Sequence, residues 1–293
     1  MRTADPLAPT RLTRAAWQAR RTAHEARVHA LVGDHLARRR AGVKHPVHDF
    51  LFGYYSHRPA HLRRWSPGFG VVCEGDDAPA VASLDDVVAR RPLVEATARL
   101  LAATASRPAN LGCFGLHEWA MVYRLGDDPT RHAAWPLRLG AAGTDEVVEG
   151  HRIACSHFDA YRFFTDAARP RNALSPGPGD RPAFEQPGCL HAGMDLYKHA
   201  FRLGPLVASE LVADCFELAR DIRVLDMRAS PYDLADLDDG AFAPVRIETA
   251  DGKREYAAAQ AGFAERGAPL RTRLLAACER LLDAVETADE DIA

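Results

Sequence analysis

The chain has 293 residues, of which 47% are hydrophobic and 26% are charged, and its formal net charge is −3. These values are ordinary for a globular protein, and the length suffices for one large domain or two small ones. The small net charge provides no global basic field, so any binding to nucleic acid would need a local basic patch. The composition therefore counts mildly against a DNA-binding protein.

The predicted elements are mainly helices. In chain order they are a basic helix over 11–40, a short helix after His45-Pro46, a helix over 83–106 that begins at the N-cap Ser83, and helices over 190–203, 206–228 and 256–287. Strands are predicted over 135–140 and 152–158, and a breaker loop over 175–182. We therefore predict a mainly α fold, a helical single domain with a small β-sheet.

Within this single domain of residues 1–293, three segments differ in character. Residues 1–40 hold the basic N-terminal helix, residues 183–234 hold two central helices rich in polar residues, and residues 256–287 form an amphipathic closing helix. We expect the central segment to bear the functional site.

The cysteines and the N-terminus bear on the cellular compartment. The six cysteines are scattered without a CxxC pair, which indicates neither a zinc ribbon nor a disulfide framework. No signal-peptide core is visible, and no stretch approaches the roughly 18 apolar residues of a membrane span. We expect a cytoplasmic protein without membrane contact.

The helix over 206–228 has the clearest pattern. Four acidic residues at spacings of four, three and four share one face: Glu210, Asp214, Glu217 and Asp221. We interpret Glu210 and Glu217 as a solvated face. Asp226 instead falls within the apolar arc, so we expect it to be buried with a partner such as Arg228, or to point into a cavity.

Histidines and carboxylates recur at spacings that suit a common ligand. His191 precedes Asp195 by one helical turn, and His45 precedes Asp49 in the same way. Such a pair is either a plain hydrogen bond or part of a metal site. His151 and His157 share one face if 151–157 is a strand. His117 and Glu118 form a polar pair inside an apolar run.

Asp159 directly follows the predicted strand and is interpreted either as the cap of the next helix or as a catalytic carboxylate.

Several common motifs are missing from the sequence. There is no GxGxxG after a strand, no GxxxxGK[ST], no HExxH, no GxSxG and no zinc-deaminase signature. Nucleotide-binding and serine-hydrolase functions are therefore disfavoured.

Five segments of the chain resemble a group of actinobacterial proteins usually labelled 3-methyladenine DNA glycosylase. The segments are HPVHDFLFGYY, CFGLHEWAMVYR, CSHFDAYRFF, EQPGCLHAGMDLYK and ELVADCFELARDIRVLDMRASPYDL. The resemblance runs from about residue 25 to residue 285, and it transfers no catalytic residue position by position. It implies a DNA-repair hydrolase that removes an alkylated purine and needs no cofactor.

Under that resemblance, the flipped base would enter an aromatic pocket where its positive charge lies on π faces. The pocket candidates are Trp119, Tyr54, Tyr55 and Tyr123, with Arg228 beside them. A carboxylate would align water and stabilise the oxocarbenium-like sugar, and the candidates are Asp226, Asp159 and Asp195. DNA would be held by the local basic patches Arg38–Arg40 and Arg63-Arg64.

Two alternatives remain open from the residues alone. The first is a metal-dependent oxygenase or hydrolase of non-haem iron or dinuclear type, acting on a small molecule, with iron or zinc as the cofactor. Its ligands would converge in one pocket from the set His45, Asp49, His117, Glu118, His151, His157 and His191. The second is a non-enzymatic helical binding protein whose polar residues stabilise its core.

Overall fold

The structure is a computed structural model that describes residues 9–126 and 135–292. The fold is mainly helical, as predicted. Its α-helices are α1 (Arg14–Arg40), α2 (Phe50–Gly53), α3 (Pro59–Arg63), α4 (Leu84–Ala105), α5 (Leu116–Ala120), α6 (Gly140–Glu149), α7 (Phe158–Tyr161), α8 (Arg181–Phe184), α9 (Leu190–Leu203), α10 (Ser209–Arg228) and α11 (Ala250–Ile292).

The longer predicted helices are confirmed with small shifts at their ends. Ser83 caps α4 through a reciprocal capping box with Asp86, because each residue bonds the backbone N–H of the other. Helix α10 begins at Ser209 rather than at 206, and α11 begins six residues before the predicted start. The basic segment over 1–40 is helical from Arg14 onward, while residues 1–8 lie outside the described residues.

The predicted strands are wrong. The sheet pairs β1 (Thr10–Leu12) with β2 (Val71–Cys73) in parallel. Residues 135–140 and 152–158 contribute only the isolated bridges of Leu137 and Ile153. Both segments have extended stretches, but they lie against loops and helices rather than against a second strand. Asp159 does not cap the next helix either, because the N-cap of α7 is His157.

The acidic face of α10 packs against arginines instead of facing open water. Arg27 of α1 donates to Asp214 and Glu217, and Arg20 donates to Glu210. On the other side, α11 supplies Arg266 to Asp221 and Arg273 to Asp214. The side chains of Glu210 and Glu217 are 31% and 40% exposed, so this face is half-buried against arginines of the neighbouring helices.

Glycines allow the close approaches that assemble the middle of the molecule. Gly193 of α9 has so little room that an added Cβ would lie 2.8 Å from the Cδ1 of Ile222, so α9 and α10 are in direct contact there. Gly115 begins α5 with a left-handed φ of +69°, beside Ala229 and Tyr256. These contacts place the polar residues of α5, α9 and α10 around one point.

One continuous hydrophobic core joins residues from α1 through α11, and a smaller apolar cluster forms around Val47, Met227 and Phe242. Across residues 9–126 and 135–292, no helix is both long enough and apolar enough to span a membrane.

Candidate functional site

Three of the predicted histidines meet in the interior. The ring centroids of His117 and His191 are 4.5 Å apart, and those of His157 and His191 are 5.3 Å apart. They come from α5, from the N-cap of α7 and from the first turn of α9. The convergence predicted for the histidines is therefore confirmed for these three residues.

His117, His191 and Asp226, called the central triad below, each direct a ligand atom to a common point. These atoms lie within 4.8 Å of one another. Asp226 is fully buried and accepts from Arg223 through Oδ2, while its Oδ1 lies 2.9 Å from His117 Nε2. The burial predicted for Asp226 is thus confirmed, but its partners are His117 and Arg223 and not Arg228.

Charge in the central triad is set by burial and by the close pair. Burial disfavours the charged forms of His117 and Asp226, but their mutual attraction outweighs it. The pKa of His117 is consequently raised well above its usual range, and that of Asp226 is lowered. Burial, followed by the nearby His117, lowers the pKa of His191 well below its usual value. His191 is therefore a neutral imidazole.

The His191 ring lacks a protein partner. Within residues 9–126 and 135–292, no group hydrogen-bonds to either ring nitrogen, although the residue is only 9% exposed. His117 and His191 both border a small void on one side, lined also by Cys113, Cys155 and Cys189. On the other side, His191 borders a larger cavity.

That larger cavity, called the central cleft, has a volume of about 230 Å³. Its lining combines aromatic and apolar walls with four polar side chains: Phe50, Tyr54, Met121, Phe163, Glu118, Asp159, His191 and Arg223. Glu118 accepts from Arg223 at 2.9 Å, and Asp159 accepts from Lys198 at 2.9 Å. The cleft therefore contains one imidazole without a partner and two paired carboxylates.

Beside the central triad, His157 lies in an ionic network through Nε2, while its Nδ1 is buried without a hydrogen-bond partner in the described part of the chain. Its Nε2 is 3.3 Å from Glu185 and 3.5 Å from Asp195. Arg181 donates to both carboxylates, and Asp195 accepts further from Tyr55 at 2.7 Å. Asp195 is buried, as predicted, but it bonds these groups rather than acting with His191 on a common ion.

A second group of two histidines and an aspartate, the peripheral triad, consists of His45, His48 and Asp238. His45 Nε2 lies 2.9 Å from Asp238, whose side chain is 49% exposed. The other ring nitrogen of His45, Nδ1, accepts from the backbone N–H groups of Val47 and His48 at 3.2 and 3.1 Å. Asp49, the predicted companion of His45, instead pairs with His35 at 2.7 Å and with the backbone N–H of His45.

Other predicted residues lie outside the cleft lining. Trp119 is fully buried and donates its indole N–H to the Ala229 carbonyl, and Tyr123 bonds Glu149. His151 bonds the Val147 carbonyl at the end of α6 rather than sharing a strand face with His157. Arg228 bonds the Ala243 carbonyl and Glu255. Of the predicted aromatic residues, Tyr54 alone lines the cleft. Of the predicted polar residues, Glu118, Asp159 and His191 line it.

The sequence reasoning missed Arg223, which is 2% exposed and lies between Glu118 and Asp226. A signal was available, because Arg223 precedes Asp226 by three residues on the apolar side of α10. Phe50 and Phe163, which form the cleft walls, gave no comparable signal, since aromatic residues are usual in a core.

Comparison of the chain with protein-family models, with curated proteins and with solved structures gives no match.

Proposed function

We propose that this protein is a mononuclear metal-dependent enzyme in which the central triad holds a divalent cation and the central cleft takes a small molecule. Two histidines and one carboxylate with open positions form the ligand set typical of non-haem iron(II) enzymes, so iron(II) is the first candidate. Zinc can use a similar set.

The observation that carries this proposal is the His191 ring without a partner. A neutral imidazole that forms no hydrogen bond to the protein keeps a lone pair available to a ligand. His191 is such a ring, and it belongs to the central triad and borders the central cleft. A cation would satisfy its lone pair, and no hydrogen bond to the protein would have to break for the ring to turn toward it.

A cation would take the place of one proton. In the structure Nε2 of His117 carries that proton and donates it to Asp226 Oδ1; once a cation displaces it, the ring can keep its remaining proton on Nδ1, which faces the Cys113 sulfur 3.9 Å away. The 2.9 Å between Nε2 and Asp226 Oδ1 is close to the edge of an octahedron with metal–ligand bonds of about 2.1 Å. Arg223 would retain the other oxygen of Asp226 and orient it.

The cation would supply Lewis-acid chemistry or the activation of a bound small molecule at positions left open toward the cleft. The protein would supply the surroundings. Arg223 fixes Asp226 by a hydrogen bond, and Phe50, Met121 and Phe163 give the cleft apolar walls.

The test is metal binding by matched variants. Purified protein is loaded anaerobically with iron(II) or with zinc, freed of excess metal, and analysed by mass spectrometry. We expect one equivalent of metal per chain in the wild type and in His48→Ala. In His191→Ala we expect the affinity for the metal to fall at least 100-fold. Retention of tight binding by His191→Ala, or loss in His48→Ala alone, would contradict the central site.

A second candidate function is the excision of an alkylated purine from DNA. The aromatic walls of the cleft favour it, because Phe50, Tyr54 and Phe163 could surround a cationic base. Asp159 is then the better candidate for aligning water, since it borders the cleft while Asp226 is fully buried. Release of 3-methyladenine from alkylated DNA by metal-free protein, abolished in Asp159→Asn, would favour this function over the metal enzyme.

A cytoplasmic location is part of the proposal. Its support is that all six cysteines are free thiols, which is the state expected in a reducing compartment. Protein that neither binds a metal nor releases a base would leave the non-enzymatic binding protein as the remaining hypothesis.

A further inference from the structure

Arg223 has hydrogen-bond donors that the protein does not use. Of its guanidinium nitrogens, only Nη1 is bonded, to Glu118 and Asp226. Its Nε is buried without a partner, and within the described part of the chain Nη2 has none either. The guanidinium carbon lies 4.0 Å from the centre of the Phe50 ring, and the residue lines the central cleft. An arginine held in this way can offer its free edge to an anionic oxygen.

The charges around the cleft also favour an anion once a cation is bound. Asp159 is neutralised by Lys198, so the pair adds no net charge. Glu118 and Asp226 contribute two negative charges, Arg223 one positive charge and a divalent cation two more, with His117 and His191 neutral as ligands. Counted over these residues, the loaded site thus has one net positive charge, which attracts an anion.

The walls and size of the cleft define the rest of the ligand. Three aromatic rings line it, namely the stacked pair Phe50 and Tyr54, with centroids 4.9 Å apart, and Phe163. Its volume of about 230 Å³ lies below the roughly 300–1,000 Å³ of pockets for drug-sized molecules. A single flat ring with a short substituent fits such a space.

We infer that the substrate is a small aromatic carboxylate, whose ring lies between the aromatic walls and whose carboxylate meets the free edge of Arg223 beside the cation. This inference rests on the proposed metal site. It differs from the glycosylase function in the sign of the ligand's charge, because an alkylated base is a cation.

The experiment uses zinc-loaded protein, so that binding is measured without turnover, and titrates it calorimetrically with benzoate, benzamide and benzylamine. These probes share one ring and differ in charge. We expect benzoate to bind at least 10-fold more tightly than benzamide, and benzylamine to bind most weakly. Equal affinities, or a preference for benzylamine, would overturn the substrate class while the zinc stoichiometry still supports the metal site. Failure to bind zinc would instead overturn the proposed function.

Two variants locate the ligand. Arg223→Lys keeps the charge but loses the planar fork, so we expect about 10-fold weaker benzoate binding with benzamide unchanged. Arg223 is buried in ion pairs, so Tyr54→Ala at the cleft wall provides a second test that does not depend on the folding of Arg223→Lys. We expect Tyr54→Ala to weaken benzoate binding at least 3-fold, and Phe69→Ala, in a different cavity, to leave it unchanged. Benzoate affinity unaltered in Tyr54→Ala would show that the ligand binds elsewhere.

Discussion

The central and peripheral triads have the same residue types and opposite surroundings. In the central triad Asp226 is fully buried and pairs with Arg223, whereas the Asp238 side chain of the peripheral triad is 49% exposed. His45 already accepts two backbone N–H groups on Nδ1, so its neutral ring must carry the proton on Nε2, the atom nearest Asp238. That nitrogen donates a hydrogen bond and has no lone pair for a metal.

His117 has the reverse arrangement available. Its Nδ1 faces the Cys113 thiol and can keep a proton there, so the lone pair of Nε2 becomes available when a cation displaces the proton that Nε2 shares with Asp226. Two groups with similar spacing between ligand atoms thus differ in what they can bind, and the difference lies in the hydrogen positions. A set of histidines and carboxylates indicates a metal site when the second nitrogen of each ring is free to carry the proton.

The largest expected difference between the triads is in stability. Asp226→Asn removes the charge that faces both Arg223 and His117, and breaking a buried ion pair is costly even though Arg223 keeps Glu118 as a partner. We expect the free energy of unfolding, measured in urea, to fall by about 3–5 kcal/mol. Asp238→Asn should change the free energy of unfolding by less than about 0.5 kcal/mol, because Asp238 is exposed and solvent weakens its interaction with His45. Equal losses in the two variants would contradict the contrast.

The sequence predicted the helices and the burial of Asp226 because both follow from helical periodicity. Asp226 falls on the apolar arc of α10, and its 0% exposure agrees with that projection. The same projection predicted that Glu210 and Glu217 face solvent, whereas both side chains are half-buried against arginines. The arginines of α1 that pair with them, Arg20 and Arg27, are remote in sequence, so no local pattern could reveal them.

The site was predictable in its residue types more than in its pairings. A one-turn spacing brought His191 and Asp195 together in the prediction, yet Asp195 bonds Tyr55 and Arg181 while His191 borders the cleft. The strand prediction for 152–158 failed because alternating residues there pack against loops, with only one bridge. Partners brought together by tertiary contacts carry no signature at short range.

A smaller difference concerns residues with positive φ, one beside the central triad and one within the peripheral triad. Gly115 has φ +69°, and a Cβ there would also lie 3.3 Å from the Ala229 Cβ, so we expect Gly115→Ala to lower the free energy of unfolding by about 2 kcal/mol. Asp238 adopts a similar φ of 49° at an exposed turn. Asp238→Gly should raise stability slightly, by about 0.5 kcal/mol. Urea unfolding of both variants measures this, and a neutral Gly115→Ala would show that α5 does not require the left-handed start.

The smallest expected effect is the pH dependence of stability that arises from His48 in the peripheral triad. Burial lowers the pKa of His48 to about 4, and the charges of His45, Arg38 and Arg220 act in the same direction against the weaker pull of Asp238. The unfolded chain, where the His48 pKa is near 6.5, therefore binds the proton more readily than the folded protein. Stability conferred by neutral His48 is present at pH 7.5 and declines as the pH falls from 6.5 toward 4.

His48→Gln removes this titration. Between pH 7.5 and pH 5 we expect the wild type to lose about 1 kcal/mol more unfolding free energy than His48→Gln, a value kept well below the full shift because the ring is only half-buried. His29→Gln, at an exposed position of α1, serves as the control and should follow the wild type. If the wild type and His48→Gln lose the same stability over this range, the His48 ring is not held neutral by its surroundings, and the peripheral triad differs less from solvent-exposed histidines than its geometry indicates.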